Sequence, residues 1–236
     1  MNLKKIVIKD IEQLGSNSYL DFDNEELYLY LSSIKNISEP QKLYNYLSIN
    51  EIEKANNFKF EEDTFRFILG HSLTRSILGK YLGIFPSKLT FKYGDSGKPQ
   101  LENTKQNIFF NISHSNEFVA IIFSQIRLIG VDIEHIDKNK ENEKIVSNFF
   151  NKNEIEEYFN LKDSQKIEAF YRYWTCKEAY VKAIGKGLNC SFKSFNVSNI
   201  YSKRITIKGK GIENERWNIK AFNHGAKYVG AVAFYK

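Results

Sequence analysis

Two segments of this chain read as copies of one another, and nothing else in it narrows the possible folds as much. FRFILGHSLTRSILGKYL (65–82) aligns with YRYWTCKEAYVKAIGKGL (171–188). Arg66 then meets Arg172, Gly79 meets Gly185, Lys80 meets Lys186 and Leu82 meets Leu188. The aromatic pairs Phe65/Tyr171 and Phe67/Tyr173 flank the arginines, and a weaker echo sets His114, Phe118 and Val119 against His224, Tyr228 and Val229. Repetition of one supersecondary unit predicts an α+β chain of two similar halves related by a pseudo-twofold, each a long helix packed on an antiparallel sheet. We place the halves at 1–110 and 111–236. In this alignment the first helix offers His71 and Ser72 where the second has Lys177 and Glu178, so the chemistry is expected in the second half, facing the junction, where ligands tend to bind.

Periodicity fills in the elements. Residues 6–8 and 27–32 alternate as strands, 39–48 and 50–58 read as short helices with Ser48 or Asn50 as cap, and 61–81 is a long amphipathic helix. A strand near 89–93, a turn at Gly94-Asp95-Ser96-Gly97, strands at 108–112 and 117–124, and a strand through GVDIE (130–134) follow. Helices are expected at 141–160 and 163–184, then antiparallel strands at 192–198, 203–209, 216–222 and 227–235.

Composition bounds the class. Hydrophobic residues at 42% and aromatics at 15% argue against disorder in a chain of 236 residues. The net charge of +6 suits an anionic partner, yet lysine supplies 28 of the 34 basic residues, which is not the arginine-rich signature of bidentate phosphate or guanine readers. Cys176 and Cys190 lack metal-ligand spacing and are expected as reduced thiols. The longest apolar run, Phe118–Phe123, falls far below the ~20 residues that span a bilayer, and the N-terminal MNLKKIVIKDIEQ lacks a secretory core of roughly 7–15 apolar residues. A cytoplasmic protein with neither a nucleic-acid nor a membrane partner is expected.

Within that frame two motifs carry chemistry. Asp132 and Glu134 are two apart, so on a strand both project from one face, while Val131 and Ile133 project from the other. Glu178 and Lys182 are four apart, so on a helix they lie one above the other. Three carboxylates and a lysine that converge suit a hard cation and a phosphorylated ligand. FNISHS (110–115) ends a strand with Ser113 and His114, and GKP (97–99) puts Lys98 after a turn. Neither a G-x-S-x-G elbow nor a GxxxxGK[ST] phosphate loop occurs.

GKP, FNISHS, GVDIE and FYRYWTCKEAYVKAIGKGL (170–188), in this order and spacing, resemble the surfactin-type (Sfp-type) 4′-phosphopantetheinyl transferases. The likeness runs over roughly residues 54–198, and the length and repeat resemble the family's two-half, single-chain form. It implies transfer of the phosphopantetheine arm of coenzyme A to a serine of an acyl or peptidyl carrier protein, with release of 3′,5′-ADP. It also implies Mg²⁺, with Mn²⁺ as a substitute, on Asp132, Glu134 and Glu178, with Glu178 as general base and Lys182 steadying the leaving group. Lys177 and Lys182 would meet the pyrophosphate, alongside Asp132, and Ser113, His114, Gly97, Lys98 and Pro99 would contact CoA. A two-half chain is expected to act as a monomer.

The pattern departs from the family where the 3′-phosphate should be gripped. EIEKANNFKFEEDTFRF (51–67) offers Lys54, Lys59 and Arg66, but Glu51, Asn57 and Phe67 where basic or hydroxyl groups are expected, so acceptance of dephospho-CoA is anticipated. Acidic carrier domains fit the basic balance, with Phe149 and Phe150 as candidate anchors. Two other classes stay open: a different Mg²⁺-dependent phosphoryl-transfer or nucleotide-hydrolysing enzyme, and a catalytically idle CoA- or carrier-binding homologue.

Overall fold

A computed structural model describes residues 1–11, 22–94, 97–102, 104–140, 142–213 and 215–236. Asp95 and Ser96 of the expected turn, and residue 141 of the expected helix, lie outside the described residues. The chain forms two compact units, Met1–Tyr93 with Pro99–Gln125, and Gly94–Lys98 with Ile126–Lys236. The division expected between residues 110 and 111 falls inside a strand of the first unit.

In the first unit the elements are β1 (Asn2–Ile8), β2 (Glu26–Ser33), α1 (Pro40–Leu43), α2 (Ile49–Asn56), α3 (Glu61–Leu82), β3 (Phe91–Tyr93), β4 (Pro99–Leu101), β5 (Phe109–Ser115) and β6 (Phe118–Ser124). The main sheet has the order β1-β2-β6-β5, antiparallel apart from the parallel β1–β2 pair. The apolar run 118–123 becomes the central strand β6, all but its first residue buried, as a strand covered on both faces should read. Ser48 caps α2 in a reciprocal box with Glu51. Three acidic residues open α3, favourable to its dipole, and Gly83 ends it at φ 67°, a left-handed conformation that only glycine adopts without strain. Ile68, Leu73 and Ile77 of α3 pack into a core with Tyr30 and Phe123.

The second unit comprises β7 (Ile129–His135), α4 (Glu143–Phe149), α5 (Lys152–Phe159), α6 (Asp163–Ile184), β8 (Phe195–Ser198), β9 (Thr206–Gly209), β10 (Trp217–His224) and β11 (Tyr228–Tyr235). Its sheet runs β10-β11-β7, antiparallel throughout, and β8–β9 forms a separate hairpin. The single helix expected over 141–160 is two helices. Phe150 is extended, and Asn151 caps α5 in a box with Glu154, which stops one helix and starts the next.

Both units are therefore built alike, which confirms the repeat, but its register differs from the sequence alignment by one helical turn, about four residues. Each unit places an eight-residue capped helix before a 22-residue helix that ends at a left-handed glycine. Gly83, not Gly79, is the counterpart of Gly185. Buried Glu51 binds Arg75 just as buried Glu154 binds Lys177, so Arg75 and Lys177 correspond. The alignment slipped because Gly79 is a different kind of glycine: it leaves room for the backbone of Ile84, which a β-carbon would approach to 2.6 Å. In the true register Lys80 matches Lys182, Ser76 matches Glu178, and Tyr30 and Ser32 stand where the second unit has Asp132 and Glu134.

Candidate active site

Along β7, Gly130, Asp132 and Glu134 share one face, and α6 rests on it. A β-carbon on Gly130 would lie 2.2 Å from the Ala179 carbonyl oxygen and 2.5 Å from the Ala183 nitrogen, so helix and strand touch through their backbones. That closeness delivers Glu178 and Lys182, one turn apart on α6, to the strand's carboxylates. Lys182 Nζ donates to Asp132 Oδ1 at 2.7 Å. Asp132 is buried, whereas the Lys182 side chain stays 29% exposed. Burial, and then the neighbouring Asp132, raise the Glu178 carboxyl above its ordinary range, with Lys182 pulling the other way.

Asp132, Glu178 and Lys182 thus meet, while Glu134 lies half-buried further along the strand. Among the described residues no three His, Cys, Asp or Glu side chains are grouped closely enough to hold a metal by themselves. Asp132 with Glu178 still suits a hard cation, because Mg²⁺ usually takes one or two carboxylates and completes its shell with water and substrate phosphates.

The family model of the 4′-phosphopantetheinyl transferase superfamily matches residues 128–233, the segment that carries this cluster, and the model of the family's N-terminal region matches 37–126. The transferase Sfp of Bacillus subtilis is 31% identical over 181 residues, covering 76% of this chain and 79% of that protein. This chain belongs to the 4′-phosphopantetheinyl transferase family. Another member, HetI of a Nostoc species, is 40% identical over 153 residues, which span 64% of this chain and 65% of HetI. A putative 4′-phosphopantetheinyl transferase of Synechocystis is 31% identical across 58% of its length.

Within this member of the family, the other anticipated residues fare differently. Lys177, expected at the pyrophosphate, is wholly buried: its ammonium binds Glu154 at 2.8 Å, the Phe192 carbonyl at 2.8 Å and the Phe195 carbonyl at 2.9 Å. All three donors are committed, so the side chain is a core strut rather than a phosphate ligand. Burial lowers the Lys177 ammonium and raises the Glu154 carboxyl, with each partner working against the shift in the other. Glu154 also accepts the Val197 N–H at 2.6 Å, which ties α5, α6 and β8 together.

Lys98 donates to the carbonyls of Ile129 at 2.7 Å and Lys182 at 2.8 Å, joining the start of β7 to the last turn of α6. Burial, reinforced by Lys182, pushes its ammonium down to about 8. Gly97 before it has φ 75°, and Pro99 opens β4 of the first unit.

In that first unit, Arg66 donates to the Asn116 carbonyl at 2.6 Å and to Asp63 at 2.5 Å, bracing the β5–β6 turn, where Asn116 has φ 50°. Lys54 lies over the Phe67 ring at 5.3 Å and Lys59 over Phe60 at 5.5 Å. Ser113 is buried on β5 and His114 beside it is exposed. Phe150, offered as a docking anchor, is core, 1% exposed and stacked on Phe170; Phe149 is 54% exposed. Cys176 and Cys190 are free thiols, and burial pushes Cys176 up to about 12. No described helix is long and apolar enough to cross a membrane.

Sequence reading missed the two buried acid–base pairs. A signal was present in S-I-N-E (48–51) and N-K-N-E (151–154), each a capping box whose glutamate doubles as the partner of a base on the following long helix. In the first unit the Glu51 carboxylate also receives His71 Nδ1 at 2.9 Å.

Proposed function

We propose that this chain transfers the 4′-phosphopantetheine arm of coenzyme A to a serine of an apo acyl or peptidyl carrier protein, releasing 3′,5′-ADP, with Mg²⁺ or Mn²⁺ required. The meeting of Asp132, Glu178 and Lys182 in a member of this family supports the reading most directly. A divalent ion on Asp132 and Glu178 would supply charge neutralisation for the pyrophosphate, with Glu134 beside them on the same strand face.

The chain's own groups then divide the work. Glu178, with its proton affinity raised by burial, takes the proton of the carrier serine. The serine oxygen bonds to the phosphorus on the pantetheine side of the pyrophosphate, and the bond from that phosphorus to the bridging oxygen breaks. Lys182 steadies the negative charge that leaves with 3′,5′-ADP. Ser113, His114, Gly97 and Lys98 serve the CoA phosphates, Lys54 and Arg66 are the candidates for the 3′-phosphate, and the protein works as a cytoplasmic monomer.

Mass spectrometry of an apo-carrier incubated with CoA, Mg²⁺ and the protein tests the proposal. The carrier should gain one phosphopantetheine arm; several different carriers left unmodified would sink it. Release of phosphate from nucleotides without a carrier would point instead to another phosphoryl-transfer enzyme. Similar rates with CoA and dephospho-CoA would support a weak grip on the 3′-phosphate.

A further inference from the structure

Lys177 and Lys182 of α6 each hold a buried carboxylate, and they hold them differently. Lys177 is sealed in the core with every donor used. Lys182 is bound to Asp132 at 2.7 Å but keeps 29% of its side chain in solvent. A buried carboxylate such as Asp132 needs a counter-charge at all times, because an uncompensated charge at that depth is strongly unfavourable. A divalent ion arriving on the same oxygens would bring a second cation to a group already paired, and the two repel. Lys98 adds a third positive centre beside Lys182 and is itself fixed on two backbone carbonyls. Lys182, by contrast, has a flexible stem and keeps part of it in solvent, so its ammonium can shift without opening the core.

We propose that Lys182 is an exchangeable counter-ion, which neutralises Asp132 before the metal arrives, yields that oxygen to the divalent ion, and thereby releases its ammonium toward the substrate phosphate. The inference rests on the metal-dependent reading above. Metal arrival and phosphate engagement become one linked event, since Lys182 leaves Asp132 only when the ion takes its place.

The test measures metal binding without turnover. Mn²⁺ is titrated into the protein, in the absence of CoA and carrier, and free ion is followed by electron paramagnetic resonance. The proteins are wild type, K182M, K182R and K186M; Lys186 is exposed just beyond the helix, so K186M matches the lost charge without touching Asp132. Removing a competing charge at this distance should tighten Mn²⁺ binding by about tenfold or more in K182M, the scale on which a close ammonium alters a carboxylate's proton affinity. K182R and K186M should stay near wild type. Wild-type binding with K182M equal or weaker overturns the exchange and leaves the metal reading standing. Binding in no variant, K182M included, removes the metal reading and this inference together. Circular dichroism checks each fold, and K182Q replaces K182M with the same expectation if the methionine variant does not fold.

Discussion

Gly130 leaves room for the backbone of Ala179: a β-carbon on Gly130 would sit 2.2 Å from the Ala179 oxygen. Because the obstruction is helix backbone, not the end of a flexible side chain, α6 would have to lift to admit even alanine. G130A should cost at least the ~1–3 kcal/mol of ordinary overpacking, lowering the melting temperature by roughly 2–12 °C. It should also separate Glu178 and Lys182 from Asp132, so kcat should fall while the far-UV spectrum holds. An unchanged melting temperature and kcat would show that the contact is slack.

Much of this arrangement was legible in the sequence. Alternation put Asp132 and Glu134 on one strand face, and helical spacing put Glu178 above Lys182; the structure keeps both relationships. Partners far along the chain were less visible. Lys177 sits one position before Glu178 in an exposed-looking WTCKEAYVK, and its burial is made tolerable by partners distant in sequence: Glu154 on another helix and the carbonyls of Phe192 and Phe195. Helical periodicity runs unbroken through Phe149-Phe150-Asn151, so the break appears only once Asn151 is recognised as a cap. The repeat was visible, but glycines of two kinds, one ending a helix and one admitting a neighbouring backbone, were matched to each other.

Glu178 should be needed for the chemical step more than for binding. Its carboxyl is buried beside Asp132 and already holds its proton more tightly than usual, the property a base requires near neutrality. E178Q should lower kcat by about 10²–10⁴-fold, the usual contribution of general acid–base catalysis. A full-rate E178Q would place the base elsewhere and favour an idle homologue.

The Lys177–Glu154 pair should behave as structure. Removing one partner of a buried pair strands the other charge and typically costs about 3–5 kcal/mol. K177M should therefore unfold at markedly lower urea, whereas K177M with E154Q, which leaves no stranded charge, should recover part of the loss. Affinity for CoA, measured on folded protein, should be the same with or without Lys177. A K177M protein of normal stability that binds CoA weakly would restore the pyrophosphate role.

Acid should test the matching pair in the first unit. Burial alone would raise the Glu51 carboxyl, but His71, the Ser48 N–H and Arg75 outweigh it and hold it at about 2, against an ordinary value of 4.5. A carboxylate with a depressed folded-state value stabilises the fold above the unfolded value, and that stability drains away as pH falls through the folded one. The difference corresponds to about 3 kcal/mol. Wild type should lose this between pH 4.5 and about 2. E51Q should be less stable at pH 7 and show a flatter decline over the same window in urea unfolding.

Phe149 and Phe150 should separate docking from packing, although they are neighbours in the chain. Phe150 is 1% exposed, stacked on the Phe170 ring and edge-on to Tyr173, so F150D would drive a carboxylate into the core. That variant should fail to fold or melt far below wild type, as ~3–5 kcal/mol is typical even for Phe→Ala in a core. Phe149, at the last turn of α4, is 54% exposed and has no such role. F149D should fold and bind CoA normally, yet show a raised KM for the carrier if this ring is an interface anchor, by roughly tenfold or more for a residue of that kind. A KM unchanged in F149D would move the carrier's apolar contact elsewhere on the protein.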